Sequence, residues 1–395
     1  MRCIGMFLVG VFCAFGAMAG ETNVIKRGTL ENARIKFQTT KKGHVAFLGG
    51  SITEMEGYRP MVSKMLKERF PETEFTFTNA GVASTCSTTG AFRLKSDVLD
   101  KGPVDMLFVE FAVNDDQDAH HTHAECVRGM EGIVRHLRQH NPKAEIVITY
   151  FLNEHSIECY KKGEAPLPVA AHEEVAVHYN VPSIHLAREV SARMEAGEFD
   201  WKKYGGVHPA PFGNRIAADM IGKLLDECWG GTLPADAAAK DYAMPAKTLD
   251  EMNYGGGRFL DPKEAKIADD WKIQIPDWAA LKGGKRDRFT KIPMLEGTKP
   301  GAALTVDFTG SCIGAYIVAG PDAGTVEASV DGGAAAKVVL YHGFSGGLHY
   351  PRTVMFADAL APGKHTLALK ISEEKNQGSS GHAMRAMWFC VNDGK

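Results

Sequence analysis

Between His44 and Cys228, short apolar runs alternate with segments whose apolar residues recur at helical spacing. The apolar runs are nearly continuous and lack the regular polar positions of a half-exposed strand. Such strands are typical of a parallel sheet that is buried on both faces. The predicted strands are His44–Leu48, Glu74–Asn79, Val104–Phe111, Glu145–Phe151 and Pro182–Leu186.

The segments between these strands predict amphipathic helices. Pro60–Phe70, His123–His140 and Phe212–Cys228 each gather their apolar residues on one face. In His123–His140 this face consists of Cys126, Met130, Ile133, Val134 and Leu137. Strands that alternate with helices predict an α/β fold with three αβα layers around a parallel, flavodoxin-like sheet.

The pattern changes after Trp229. Residues 232–290 have no clear period, and we interpret them as a connector that packs on one or both neighbouring domains. From residue 291 onward, short strand-like runs are separated by turn signals such as Asp331-Gly332-Gly333. These runs, which predict a C-terminal antiparallel β-sandwich, are Ala303–Phe308, Ile313–Val318, Thr325–Val330, Lys337–Leu340, His365–Ile371 and Met384–Val391.

The N-terminus has the three parts of a secretory signal peptide. Arg2 supplies the positive charge, Ile4–Phe15 is the apolar run, and Ala17-Met18-Ala19 is a cleavage site of small residues. The apolar run is shorter than the roughly 20 residues of a membrane-spanning helix. We therefore expect a secreted or periplasmic protein that does not insert into a membrane after cleavage. The predicted organisation is a signal peptide at 1–19, an α/β domain at 20–231, a connector at 232–290 and a β-sandwich at 291–395.

Composition narrows the possible partners. A chain of 395 residues exceeds the length at which one core stops growing, which agrees with two domains. Its net charge of −3 gives no electrostatic reason to expect a nucleic acid as partner. Six of the eight cysteines follow the signal peptide, and no Cys-x-x-Cys zinc motif occurs among them. Cys312 and Cys390 lie in the same region, but the sequence leaves their pairing open.

Residues that carry chemistry follow three of the predicted strands. Gly49-Gly50-Ser51 ends the first strand, Asn79-Ala80-Gly81 ends the second, and Val113-Asn114-Asp115 follows the third. Because parallel sheets bind ligands at the carboxyl ends of their strands, we expect these residues to meet at one edge. A fourth block, Gly206-Val207-His208-Pro209, precedes the last helix of the domain.

These four blocks, in this order, resemble those of the SGNH (GDSL-like) hydrolase superfamily. The resemblance covers residues 43–228 and implies a serine hydrolase of ester bonds. It implies that Ser51 is the nucleophile and His208 is its base. It also implies an oxyanion hole formed by the backbone N–H groups of Ser51 and Gly81 and the side-chain amide of Asn114. We expect neither a cofactor nor a metal ion.

Two positions depart from the family's pattern. Gly50 stands where the family often has a non-catalytic Asp, which is a mild change. Gly205 stands three residues before the histidine, where the family usually has an acidic residue. Loss of the acid from a complete triad costs about 10⁴-fold in rate. Three explanations stay open: a backbone carbonyl orients His208, a carboxylate such as Asp200 or Glu198 replaces the acid, or the enzyme is impaired.

Other side chains allow two interpretations each. The loop Asp115–His123 is rich in metal-ligand types, but we favour a solvated loop near the active site that caps the next helix at Thr122. Arg59 and Arg93 would either contact substrate or serve as surface or capping residues, and we favour the latter. His172 is predicted on a helix face. In the C-terminal domain, side chains suited to sugar stacking or to core packing are Tyr341, His342, Phe344, His349, Tyr350 and Trp388.

The sequence therefore predicts a secreted serine esterase that deacetylates carbohydrate. The expected partner is an acylated carbohydrate or another small ester. The substrate class depends on export and on the appended sandwich, and thus on analogy. Two alternatives are a lipid or aryl-ester hydrolase of the same fold and a catalytically impaired glycan-binding protein.

Overall fold

The computed structural model describes residues 22–268 and 270–393. The predicted signal peptide, residues 1–19, lies outside the described residues. Within the described ranges, no helix is both long and apolar enough to cross a membrane.

The N-terminal part contains a sheet with helices on both faces. Its strands are β1 (Val24–Ile25), β2 (Lys42–Gly49), β3 (Glu74–Gly81), β4 (Met106–Val109), β5 (Glu145–Thr149) and β6 (Ser183–Ile184). Its helices are α1 (Glu31–Thr40), α2 (Ser51–Glu54), α3 (Tyr58–Arg69), α4 (Ser87–Asp97), α5 (Ala112–Gln117), α6 (His123–His140), α7 (Glu154–Lys161), α8 (Leu167–His178), α9 (Leu186–Glu195), α10 (Trp201–Tyr204) and α11 (Pro211–Trp229).

The strand order is β1-β6-β5-β4-β2-β3, with β2 to β6 parallel and β1 antiparallel at the edge. The parallel strands have the flavodoxin-like order, so the αβα prediction is confirmed. β2, β4 and β5 are almost entirely buried because separate hydrophobic clusters cover the two faces of the sheet. The chain continues from β2 to β3 on one side, whereas β4 lies on the other side of β2. The carboxyl ends of β2 and β4 therefore flank the switch point at which such sheets bind ligands.

The C-terminal part is an antiparallel β-sandwich, as predicted. One sheet has the order β15-β12-β17-β10-β9 with β7 on β17, and the other has the order β14-β13-β16-β11-β8. The elements are β7 (Gly257–Leu260), β8 (Ala265–Ile267), β9 (Trp271–Gln274), α12 (Asp287–Thr290), β10 (Met294–Gly297), β11 (Ala303–Gly310), β12 (Ile313–Ala319), β13 (Thr325–Val330), β14 (Ala336–Val339), β15 (Tyr350–Ala357), β16 (Gly363–Ile371) and β17 (Met384–Asn392). A hydrophobic cluster between the sheets includes Leu304, Ile317 and Phe389.

Several strands of the sandwich were not predicted, among them β10 (Met294–Gly297). β7, β8 and β9 come from residues 232–290, and each pairs with a later strand of the sandwich. β15 begins with Tyr350-Pro351-Arg352, a sequence without the regular alternation of a strand, and pairs with β12. The domain boundaries at 231 and 290 stay predictions.

The two parts are packed tightly against each other. One hydrophobic cluster contains Phe92 of α4 and Tyr254 together with Met387 and Cys390 of β17. The hydroxyls of Thr89 and Thr353 form a hydrogen bond of 2.9 Å across the same boundary. Because the sandwich shares a core with α4 and α6, it is fixed beside the carboxyl edge of the parallel sheet.

Candidate active site

Ser51 and His208 are brought into direct contact. Ser51 is the first residue of α2, directly after β2, and its Oγ lies 2.7 Å from Nε2 of His208. His208 is exposed in the turn between α10 and α11. Asn214 holds this turn because its Nδ2 donates to the carbonyl of Pro209 (2.5 Å) while its Oδ1 accepts from the backbone N–H of Tyr58 (2.8 Å). The serine and histidine that the sequence predicted as partners therefore form one hydrogen-bonded pair.

The turn that presents Ser51 is supported by a buried carboxyl group that the sequence analysis missed. Oε1 of Glu110 accepts hydrogen bonds from the backbone N–H of Gly50 (2.8 Å) and the hydroxyl of Thr53 (2.7 Å). Burial raises the pKa of Glu110 to about 7, although these hydrogen bonds favour its charged form. The sequence signal was a glutamate at the end of an otherwise apolar strand.

Asn114 lies on α5 next to this turn. It is buried, and its Nδ2 donates to Oδ2 of Asp118 at 2.5 Å. A Cβ atom at position 50 would lie 2.1 Å from Oδ1 of Asn114. Because residue 50 is glycine, the Asn114 amide can approach the turn that carries Ser51. Burial raises the pKa of Asp118, while its hydrogen bond with Asn114 acts in the opposite direction. The Asn114 amide is therefore oriented by Asp118 and has one N–H left.

Gly81 lies at the end of β3, close to α2. A Cβ atom there would lie 2.2 Å from the backbone nitrogen of Glu54, so the close approach of α2 requires glycine. The Gly81 N–H donates to Oδ1 of Asn79 at 2.9 Å. One of the three predicted oxyanion donors is thus already hydrogen-bonded within the protein.

The structure explains why position 205 has no acidic residue. Gly205 ends α10 with a φ of +112°, and a Cβ atom there would lie 1.9 Å from the backbone nitrogen of Ala210. Asp200 caps α10 by accepting from the N–H of Lys203 at 2.7 Å, and Glu198 accepts from Arg193 at 2.8 Å. Both of these carboxylates, which are the nearest to Gly205 along the sequence, are thus hydrogen-bonded to other groups. Across residues 22–268 and 270–393, no hydrogen bond joins Nδ1 of His208 to a protein group.

The two arginines considered as substrate contacts have structural partners. Arg93 is buried and donates to the carbonyls of Ala80 (2.6 Å) and Gly49 (2.8 Å). It therefore ties together the strand ends that carry Gly81 and Ser51. Arg59 forms an ion pair with Glu56 and donates to the carbonyl of Thr53. For both arginines the structure favours the capping interpretation.

The C-terminal part contributes further contacts to the site. Arg288 donates to Oε1 of Glu54 at 2.6 Å and to the carbonyl of Gly81 at 3.1 Å. Arg286 donates to the carbonyl of Ala83 at 2.7 Å and to the hydroxyl of Ser84 at 2.8 Å. Both arginines lie in a segment that has no periodic pattern, so their contacts with the loop after β3 could not be predicted from the sequence. They hold the loop after β3 from outside the α/β domain.

The aromatic and imidazole candidates of the sandwich have different environments. Tyr350 and His349 are buried, and Trp388 packs against Phe259. His342 contacts the carbonyl of Asp118 through Nε2 at 2.7 Å and stacks on Tyr350. Phe344 is 52% exposed beside His342. Core packing therefore accounts for the buried members, whereas Phe344 faces solvent near the site.

The loop Asp115–His123 ends as predicted. Thr122 caps α6 in a reciprocal arrangement with Glu125, so the capping prediction is confirmed. His120 is exposed with a φ of +50°, whereas the His121 side chain turns inward. His172 lies on α8 and is completely buried.

Comparison with known proteins shows which family this site is similar to. Residues 47–216 match the sequence model of the GDSL-like Lipase/Acylhydrolase family. The matched segment includes Ser51, Gly81, Asn114 and His208, so the predicted resemblance is confirmed. The segment that carries the site is thus similar to this family, and the protein is an ester-bond hydrolase. None of the curated proteins compared with the chain matches it.

Two solved structures are similar to the chain over most of its length. One is a two-domain esterase active on acetylated mannans, co-crystallized with mannopentaose, with 21% identity and a TM-score of 0.74. The other, also a two-domain esterase active on acetylated mannans, has 22% identity and the same TM-score. Each match covers 94% of this chain and 97% of the other chain. At this level of identity, the likeness shows a common two-domain fold.

Glu110→Gln is expected to weaken the pH dependence of the free energy of unfolding. The folded-state pKa of Glu110, about 7, lies above its ordinary value of 4.5. As the pH rises between these values, the unfolded chain loses this proton first, so stability falls by at most roughly 3 kcal/mol. Gln retains the acceptor oxygen but carries no titrating proton. Urea denaturation between about pH 5 and pH 8 measures the effect.

Glu145→Gln is the matched control, because burial also raises the pKa of Glu145 to about 7 at a site away from Ser51. Both variants should flatten the stability profile, but only Glu110→Gln should also alter ester hydrolysis. A profile of Glu110→Gln as steep as that of the wild type would contradict this account.

Gly205→Ala is expected to destabilise the protein by more than Gly206→Ala. Both glycines have positive φ, but a Cβ atom at 206 has no neighbour within 4 Å, whereas one at 205 collides with Ala210. Backbone strain alone costs roughly 1–2 kcal/mol at either position, and the collision adds to this cost only at 205. Gly205→Asp is likewise expected to lower stability and to give no gain in rate. Thermal unfolding and ester hydrolysis of these variants measure both effects, and a faster, stable Gly205→Asp would show that the turn accepts an acid.

Proposed function

We propose that the protein is a secreted carbohydrate esterase that removes acetyl or similar small acyl groups by a Ser51–His208 acyl-enzyme mechanism. The observation that carries the proposal is the 2.7 Å contact between Oγ of Ser51 and Nε2 of His208, at the switch point of the sheet. Export rests on the signal-peptide pattern of residues 1–19.

The reaction has two halves. In the first, Nε2 of His208 takes the hydroxyl proton while Oγ of Ser51 forms a bond to the acyl carbon. His208 then gives this proton to the departing sugar oxygen as the ester bond breaks, which leaves the acyl group on Ser51. In the second half, His208 takes a proton from water while the water oxygen forms a bond to the acyl carbon. The bond between this carbon and Oγ then breaks, and His208 returns the proton to Oγ, which releases the acid and restores Ser51.

The charge that develops on the carbonyl oxygen requires hydrogen-bond donors. We assign this role to the backbone N–H of Ser51, the backbone N–H of Gly81 and Nδ2 of Asn114. Each such donor typically contributes roughly 3–4 kcal/mol to lowering the barrier. Asp118 restricts the rotation of the Asn114 amide, which favours its remaining N–H as a preorganised donor. The Gly81 N–H would divide its hydrogen bond between Asn79 and the oxyanion.

His208 then functions without a carboxylate partner. The turn at Gly205 excludes a side chain, and the two nearest carboxylates are bonded elsewhere. We therefore propose a Ser–His dyad, with a lower rate than a complete triad. The exposure of His208 lets solvent hydrate Nδ1 when the ring becomes charged.

The surroundings of Ser51 favour a small acyl group on a hydroxylated substrate. Glu54, Arg288 and Asp118 provide charged groups around the reacting pair. A long alkyl chain would have to desolvate these groups without replacing their hydrogen bonds. The esterases of similar fold that act on acetylated mannans support the same substrate class. The alternative, a lipid or aryl-ester hydrolase, is supported by the family description alone.

Ser51→Ala and His208→Ala are each expected to reduce acetate release from acetylated mannan by about 10³-fold or more. The first substitution removes the nucleophile and the second removes its base. Ser63→Ala is the matched control, because the hydroxyl of Ser63 on α3 hydrogen-bonds, among the residues that the structure describes, only to the Arg59 carbonyl. If the Ser51→Ala variant keeps wild-type activity, the mechanism is wrong. A folded wild type that binds the glycan but hydrolyses no ester would instead support the impaired glycan-binding protein.

A series of p-nitrophenyl esters separates the two esterase classes. We expect kcat/KM to be highest for acetate and to fall steadily with acyl length, because an alkyl chain would have to desolvate Glu54, Arg288 and Asp118. A preference for long acyl chains would instead support a lipid hydrolase.

A further inference from the structure

A second cluster of reactive side chains lies next to Asn114, outside the proposed catalytic pair. It consists of three residues on helices and two outside them: Cys86, Asp115, His121, Cys126 and His172. Cys86 precedes α4, Asp115 is on α5, Cys126 is on α6 and His172 is on α8. Cys86, Asp115, Cys126 and His172 are buried, and only 11% of the His121 side chain is exposed. We refer to these five residues as the Cys–His cluster.

The potential ligand atoms of the Cys–His cluster are close to one another. Those of Cys86, Asp115 and His121 lie within 4.8 Å of each other, and so do those of Asp115, Cys126 and His172. Asp115 is common to both groups. Its Oδ2 lies 2.9 Å from Nε2 of His172, and its Oδ1 lies 3.5 Å from Nδ1 of His121. Asp115 therefore connects two groups, each of which has one thiol and one imidazole.

The cluster contains buried polar atoms without a hydrogen-bond partner. Nδ1 of His121 and Nδ1 of His172 are buried, and neither forms a hydrogen bond among the described residues. In the same part of the chain, the ion-pair partners of the fully buried Asp115 are only these two histidines. Buried ring nitrogens without a hydrogen-bond partner, next to a carboxylate and two thiols, point to a set of metal ligands.

We propose that Cys86, Asp115, His121 and Cys126 bind a single zinc ion. Thiolate, imidazole and carboxylate are the donors that zinc prefers, and four protein ligands define a closed structural site. His172 hydrogen-bonds to the second oxygen of Asp115 and orients this ligand from behind, as second-layer partners of metal ligands do. Zinc displaces one proton from each thiol on binding. This proposal replaces the expectation of no metal and is independent of the catalytic role of Ser51.

The metal would fix the position of Asn114. Zinc would connect the start of α4 and the start of α6 to α5, the short helix that carries both Asn114 and Asp115. Ser87 already holds Asp115 through its backbone N–H (2.7 Å) and its hydroxyl (2.6 Å). The zinc site would thus stabilise the position of Asn114 in the active site without contacting the substrate.

Metal content is the first test. The full chain, purified without chelator, is expected to contain about one zinc per molecule by plasma mass spectrometry. Removal with a chelator should lower the melting temperature, and added zinc should restore it. Cys126→Ser and His121→Gln should each reduce zinc content at least tenfold. Cys228→Ser is the matched control, because Cys228 is a buried free thiol on α11 outside the cluster. It should retain the full zinc content.

Cobalt substitution tests the ligands directly. The metal-free wild type loaded with Co²⁺ should show a thiolate-to-cobalt charge-transfer band, together with the visible bands of a tetrahedral site. Cys228→Ser should retain this spectrum and Cys126→Ser should lose the thiolate band. If Cys126→Ser does not fold, the wild-type spectrum alone decides, and absence of the thiolate band overturns the proposal. Zinc content below a tenth of one equivalent in the wild type, or a Cys86–Cys126 disulfide in the native protein, overturns it as well.

Discussion

The hydrogen bond between Ser51 and His208 connects residues 157 positions apart and depends on most of the α/β domain. Ser51 reaches its position because β2 ends at the switch point of the sheet and Glu110 holds the turn that follows. His208 reaches it because Asn214 ties the turn before α11 to the start of α3. Distortion of either turn would separate the two atoms, since a hydrogen bond weakens steeply with distance and angle.

The same turns limit what else the site can contain. The close approaches of Asn114 to Gly50 and of α2 to Gly81 leave no room for a Cβ atom at either glycine. At Gly205 the backbone both adopts a positive φ and approaches Ala210, so the acid usual in this family is excluded by the local backbone. Among the described residues, the lack of a carboxylate hydrogen-bonded to His208 is therefore connected with the fold of this turn. Restoration of the acid would require remodelling of the segment between α10 and α11.

The sequence was most informative where neighbours along the chain decide the structure. Local patterns predicted strands such as His44–Leu48, the helix at 123–140 and the Thr122 cap. The four sequence blocks predicted that Ser51, Gly81, Asn114 and His208 belong to one site. Contacts between distant segments were not predictable. Glu110 contacts the turn that carries Ser51, and Arg288 contacts Glu54. Both contacts depend on how distant segments of the chain pack.

The Cys–His cluster illustrates the same limit. His121 belongs to a loop that was predicted to be solvated. Of its partners, Cys86 precedes α4, Cys126 lies on α6 and His172 lies on α8. Their spacing along the chain matches no metal motif, because the site is assembled by the packing of α4, α5, α6 and α8. Likewise, β15 was missed because Pro351 and Arg352 interrupt its pattern, although pairing with β12 stabilises the strand.

The reactivity of Ser51 toward a fluorophosphonate is the decisive measurement, because the reagent reacts with an activated serine whatever the natural substrate is. We expect a single covalent adduct on the folded protein, located on Ser51 by peptide mass spectrometry, absent from Ser51→Ala and formed much more slowly in His208→Ala. An unmodified wild-type protein, or an adduct on a different serine, would contradict the assignment of Ser51 and His208 as nucleophile and base.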